Sequence, residues 1–259
     1  MTSASDFDLS EAARQRLRQP FLLTDWHHTV FLHFVVDVDI LQPDVPFPLD
    51  CWESRAYVSV VAFQQRRFVL HRGGRAISWL TGPIGSHDFC NVRTYVRPGD
   101  EPGVFFLTEW ISRRLTVLIA RALYGLPYRL AQLRYDHDTR SGMFRAEVAA
   151  PSDGRLACRA RIDYDRPVAP APADSLEAFT MERYTAYTQS GGRRRCFWIW
   201  HEPWPQQRIE AELGEDSLLR QTFKWYHAAE LAAANYSPGV RGVWIGRPHR
   251  VYLSPDTGR

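Results

Sequence analysis

Tyr128 and Arg129 follow directly on Gly125-Leu126-Pro127, where an apolar helical run gives way to an alternating segment. A phenol donates a hydrogen bond and a guanidinium offers a rigid fork of N–H groups, so the pair can hold a carboxylate or an enolate oxygen. Consecutive strand residues face opposite sides, so only one of the two can enter a cavity while the other is solvated. Arg93 shares the polar face of "NVRTYV" with Asn91 and Tyr95. Turned inward it anchors an anion; turned outward it is ordinary surface. Glu109 closes the strand "VFFLTEW" just before the helix, where it can act as general base, pair with Arg93, or answer a helix N-terminus. His201, in "WHEPWP", alone in that motif titrates near neutrality, and can be a general acid and base or a buried structural ring.

Other chemistries find less support. Lys224 is the only lysine among 259 residues, so imine formation has one side-chain candidate, placed in a late helical segment with nothing to bring it near Tyr128. His27 and His28 are adjacent and diverge in a strand, and "YDHD" precedes a turn, so no metal set is expected and no cofactor is called for. "RRRCFWIW" interleaves cations with aromatic rings, as single-strand nucleic-acid platforms do, and would need Arg193, Arg194 and Arg195 on one exposed face. A net charge of +3 argues against a nucleic-acid partner. The run Leu115 to Leu123 is too short to span a bilayer and contains Arg121, so no membrane role is expected. Four scattered cysteines and no leader-like start give the expectation of a reduced, cytoplasmic protein.

These side chains need a scaffold, and the hydrophobic pattern predicts about ten strands with two or three helices and no alternation of strand and helix. That pattern predicts an α+β chain, mainly antiparallel β, arranged as a barrel or sandwich decorated by helices. "TVFLHFVVDVDIL", "AYVSVVAF", "NVRTYV" and "VFFLTEW" read as strands. Leu115, Leu118, Ile119, Ala122 and Leu123 recur at helical spacing, with Gly125 as the C-terminal glycine. Ser10 reads as the cap of a short N-terminal helix, Tyr184 and Tyr187 as one face of a helix through "LEAFTMERYTAY", and "EDSLLRQTFKWYHAAELAAA" as helical. Glu182 and Arg183 are expected to tie the "MERY" segment to the barrel. Residues 1–19 form a polar extension, and 20–259 read as one domain.

The order of landmarks resembles a known family. "TDWHHTVFLHFVVDVDIL", "DCWESRAYVSVVAF", "NVRTYV", "PGVFFLTEW", "ARALYGLPYRLAQL", "SLEAFTMERYTAY", "WHEPWP" and "NYSPGV" follow one another as in the YqjF-like family of uncharacterised bacterial proteins, within the acetoacetate-decarboxylase-like group. The resemblance covers roughly residues 20 to 250. It implies a β-barrel core with packed helices and an internal cavity, and a homo-oligomer by analogy. It also implies that the joint reading Gly-Phe-Pro-Lys-Lys in true decarboxylases is here Gly125-Leu126-Pro127-Tyr128-Arg129. Tyr128 then stands at the imine-forming lysine's place and Arg129 at its neighbour's, and neither is an amine nucleophile. Where the family often carries an acid, two residues before Asn91, this chain has Phe89, with Asp88 beside it. The expectation is a cavity for a small carboxylate- or carbonyl-bearing molecule, with acid/base chemistry in place of Schiff-base decarboxylation; the alternative is a non-catalytic small-molecule sensor or protein-interaction module on the same fold.

Overall fold

Two long strands that read as nearly continuous apolar runs set the architecture. β1 (Leu22–Val36) is buried along most of its length and β2 (Ala56–Leu70) over its first half, because each has packed structure on both faces. They pair antiparallel and are continued by β3 (His87–Val96) and β4 (Gly103–Ile111). The short β5 (Tyr128–Leu130) lies parallel to β4. The computed structural model describes residues 6–71, 86–113 and 122–251. The helical run expected at 115–123 falls largely outside them; Ala122 to Tyr124 are helical, and Gly125 has the positive φ of +70° that a helix-terminal glycine adopts.

Beyond β5 the chain builds a second, smaller sheet from β6 (Gln132–Asp138), β7 (Met143–Ala150), β8 (Gly154–Arg161) and, later, β12 (Glu210–Glu215), in the order β12-β8-β7-β6. It then returns to the large sheet with β9 (Thr185–Ser190), β10 (Arg193–Trp200), the two-residue β11 (Gln207–Arg208), β13 (Glu230–Ile245) and β14 (His249–Arg250). β4 pairs parallel with β9, β9 with β10, and β13 with β1. Pairing of Ile199 with Ile245 and Trp200 with Trp244 joins β10 to β13. Among the described residues β13, β1, β2, β3, β4, β9 and β10 therefore close into a ring, which removes their free edges. This is the mainly antiparallel α+β architecture that the strand pattern predicts.

Two apolar cores follow. Inside the ring lie Phe31, Val61, Phe63, Phe89, Phe106, Phe197 and Trp204, among others. Outside it, Val30, Leu32, Val60 and Ala62 meet Phe144, Ala146, Val148 and Leu156 of the second sheet. β7 alternates buried and exposed residues because only one of its faces is covered. Gly239, with φ +114°, lets β13 pass against the Trp26 backbone, where a Cβ would collide with the Trp26 carbonyl oxygen.

Several local expectations change. β1 stops at Val36, and Val38–Leu41 forms a four-residue helix, α2, because two alternating residues fit one helical turn as well as a strand end. Helix α1 (Asp6–Leu17) contains Ser10 in its second turn, so that residue is no cap; its buried hydroxyl donates to the His201 carbonyl at 2.7 Å. Helix α3 spans only Leu176–Met181, and Tyr187 belongs to β9, so Tyr184 and Tyr187 share no helix face. Of the late helical segment only Ser217–Thr222 (α4) and a 3-10 turn at Lys224–Ala228 form. The alanine-rich piece after Glu230 is strand, since pairing along the whole of β1 outweighs its intrinsic helix preference.

Candidate functional site

Strand register places the predicted residues. Phe31 pairs with Val61, Val61 with Asn91, Asn91 with Glu109, and Glu109 with Tyr128. Residues directly opposite one another project from the same face, so these five form one row across the inner wall of the ring. Along β3, Phe89, Asn91 and Arg93 alternate onto that same face. A β-bulge between Val92 and Arg93 shifts the β4 partner from Thr108 to Phe106. The extra residue, Leu107, lets Phe106 and Val104 face inward together with Glu109, which strict alternation would forbid.

The row and the strand meet in a cavity of about 90 Å³ lined by Asn91, Arg93, Glu109, Tyr128 and His201. Thus five of the seven residues singled out from the sequence come together. Two do not. Arg129, on the opposite side of β5 from Tyr128, is exposed and ion-paired with Asp153 at 2.9 Å. Tyr95 is buried, but its hydroxyl bonds to Ser59, which in turn bonds His33 Nδ1 at 2.6 Å. It projects from the same face of β3 as Arg93, but further along the barrel, into a polar cluster of its own. Asp88 likewise points away and accepts from Gln64, leaving Phe89 in the cavity.

The electrostatics follow from burial. Glu109 is only 4% exposed, and desolvation pushes its carboxyl pKa well above the usual range, against the pull of the Arg93 charge. Its Oε2 has no hydrogen-bond partner among the described residues, and the same holds for Arg93 Nε, Asn91 Oδ1 and Thr29 Oγ1, all from cavity-lining residues. Arg93 is held by one bond, from Nη2 to the Thr180 carbonyl at 3.2 Å, and lies 5.5 Å from the Phe31 ring. Burial, reinforced by Glu109, raises the Tyr128 phenol well above its ordinary value, so it is a neutral donor. His201 is 2% exposed, and burial lowers its pKa to about 4, so at neutral pH it is uncharged. Its Nδ1 lies 2.8 Å from the Glu202 carbonyl, which can only accept; Nδ1 therefore carries the proton and Nε2 is the basic nitrogen.

Residues that the sequence reading did not assign to a site complete the wall. Trp26 and Trp204 stack at 5.7 Å, and Phe63 stacks on Phe89 at 5.0 Å. Arg183 also lines the cavity, but it is ion-paired at 2.7 Å with Asp50, a carboxylate that it shares with Arg97. Glu182 takes the Trp204 backbone N–H at 2.8 Å, so the "MERY" segment does anchor neighbouring structure. Only the register of β1 to β5 reveals Thr29, Gln65 and Trp26 as cavity residues, while Trp204 enters from the loop after β10, and neither placement is written in any one segment.

Alternative sites gain less. Lys224 is exposed and does not line the cavity. Arg193 is exposed, whereas Arg194 and Arg195 are half-buried, Arg194 lying 5.6 Å over Phe47, so the three do not form one exposed cationic face. A larger open groove of about 610 Å³ beside Arg16–Phe21 contains none of the predicted site residues. Among the described residues no three histidine, cysteine or carboxylate side chains gather as a metal set, and no helix is long and apolar enough to cross a membrane.

Comparison with known proteins agrees with this fold. Residues 24–241 match the family described as uncharacterised conserved protein, DUF2071. The uncharacterised protein YqjF of Bacillus subtilis is 30% identical over 203 residues, 74% of this chain and 78% of that protein. Acetoacetate decarboxylase from Legionella pneumophila superposes with a TM-score of 0.62 at 11% identity, covering 90% of this chain and 88% of that one. The enduracididine biosynthesis enzyme MppR, complexed with pyruvate, gives 0.61 at 11% identity, covering 91% and 92%. At such identities the likeness concerns the fold. The chain belongs to the DUF2071 family, is similar to YqjF, and has an acetoacetate-decarboxylase-like fold.

Proposed function

We propose that the barrel cavity binds a small organic acid or carbonyl compound without forming an imine, Arg93 holding the anion and Tyr128 and Glu109 its neighbouring oxygen. The observation that carries this reading is convergence: a guanidinium with no carboxylate partner among the described residues, a carboxyl of raised pKa, a phenol and an amide oxygen meet in one largely apolar cavity. Buried polar groups are nearly always satisfied, so orphaned atoms aimed into a cavity mark where a ligand's polar atoms belong. Tyr128 is no amine and Lys224 does not line the cavity, which supports a grip without an imine. A relative of the same fold has been captured with pyruvate, which fits the proposed ligand class.

A neutral Glu109 next to Tyr128 favours proton donation to a carbonyl or enolate oxygen while Arg93 holds the charge, and His201 Nε2 can accept a proton in return. On the same reading residues 20–259 act as one domain behind the 1–19 extension, in the cytoplasm. The test is a thermal-shift screen with pyruvate, acetoacetate and lactate on wild type, Tyr128→Phe and Arg93→Ala. A ligand at 100 times its Kd should stabilise wild type by ~2.7 kcal/mol, or roughly 5–10 °C, and Arg93→Ala far less. Borohydride treatment with the keto acids should leave the mass unchanged. Turnover of a stabilising acid supports catalysis; stabilisation without turnover supports a sensor; no response from any acid rejects the cavity reading.

A further inference from the structure

The cavity is graded along one strand. Phe89, Asn91 and Arg93 project inward from β3 in sequence, and same-face neighbours on a strand stand roughly 6.7 Å apart, so the outer two are about 13 Å apart at the backbone. At the Arg93 end is the cation. At the Asn91 level, the next two strands place Glu109 and then Tyr128, each about 4.8 Å further across the sheet. At the Phe89 level the partner across β2 is Phe63, whose ring is stacked on Phe89 with an interplanar angle of 3°. Tyr128 meets the Phe89 ring edge-on at 5.9 Å. The chamber thus runs from charge, through neutral hydrogen-bonding groups, to aromatic hydrocarbon.

We infer that the ligand is a short monocarboxylic acid with an oxygen substituent next to its carboxylate and an uncharged, apolar tail, and that Phe89 sets the length of that tail. This rests on the acid-binding role proposed above and specifies its substrate class. A volume of about 90 Å³ is well below the ~300–1,000 Å³ of pockets for drug-sized ligands, so the tail is a few carbons at most. A second carboxylate would be pushed against Phe63 and Phe89, where no lining cation is present among the described residues: Arg183 is committed to its ion pair with Asp50 and lies over the Phe179 and Tyr95 rings. Burying a charge there without a partner is prohibitive compared with burying a methyl group. An acid at position 89 would invite a polar tail; phenylalanine shuts that option out.

The test is a calorimetric series of 2-oxo monoacids, pyruvate through 2-oxohexanoate, with oxaloacetate and 2-oxoglutarate as the dicarboxylate arm. Each is titrated into wild type, Phe89→Leu, Phe89→Ala and Arg93→Ala. Wild type should prefer a short tail and bind the dicarboxylates at least ~100-fold more weakly. Phe89→Ala should move the optimum to a longer tail, each methylene that becomes accommodated tightening binding about fourfold, with the milder Phe89→Leu in between. The Leu variant keeps the experiment readable if the Ala variant does not fold. Binding that depends on Arg93 but has the same tail profile in both Phe89 variants overturns the inference and leaves the acid-binding role standing. So does equal affinity for the dicarboxylates. Absence of binding by every acid to wild type removes both.

Discussion

Glu109→Gln separates a neutral buried carboxyl from an ionised one paired to Arg93. In the unfolded chain the group ionises around 4.5, whereas burial holds it protonated in the fold well above that. The sign follows: a raised carboxyl contributes its full stability below pH 4.5, and that contribution is lost as pH rises toward the folded pKa. While Glu109 stays protonated in the folded state, wild type loses ~1.4 kcal/mol per pH unit relative to the glutamine variant, in which the position does not titrate. Between pH 5 and pH 6 the gap in melting temperature should therefore move by roughly 3–5 °C in favour of Glu109→Gln. Taking the difference between two proteins measured in the same buffers cancels the other titrating groups. Gln keeps a donor and an acceptor at that place, so the response to an added acid should survive. A gap that stays flat from pH 4.5 to 7 would falsify the reasoning, because it means that Glu109 ionises in the fold as it does in water.

Three further outcomes are expected. His201→Gln should flatten the acid limb of the stability profile: with the folded pKa at about 4 against 6.5 unfolded, wild type loses on the order of 3 kcal/mol as pH falls through that window, measurable by urea unfolding at pH 7 and pH 4.5. Asp50→Ala should destabilise by ~3–5 kcal/mol, since it strands the buried Arg183 guanidinium, and a smaller loss in denaturant melts would show that water reaches that site. Arg129→Ala should cost no more than ~1 kcal/mol and leave any ligand-induced stabilisation intact, because its ion pair lies outside the cavity; loss of the ligand response would put Arg129 inside.

Much of this was legible in the chain. The β-rich class followed from β-branched runs bounded by glycine and proline, because the hydrophobic period reflects which faces are covered. That neither Tyr128 nor Arg129 is an amine nucleophile is a matter of residue identity, legible in the chain itself. Asn91, Arg93, Glu109, Tyr128 and His201 were recognisable as chemistry-bearing groups, and they meet. What single segments do not contain is register. The bulge at Leu107 decides that Glu109 and Phe106 face the same way, Ser59 on the neighbouring strand β2 holds the Tyr95 hydroxyl away from the cavity, and Asp153 in the turn after β7 claims Arg129. The alanine-rich stretch after Glu230 is strand because β1 lies beside it. Residue type and local period fix which groups can do chemistry and which element they favour. Direction, neighbours and desolvation are set by strands far apart in sequence, and those alone push the pKa of an ordinary glutamate upward and turn a surface-like arginine into the cavity.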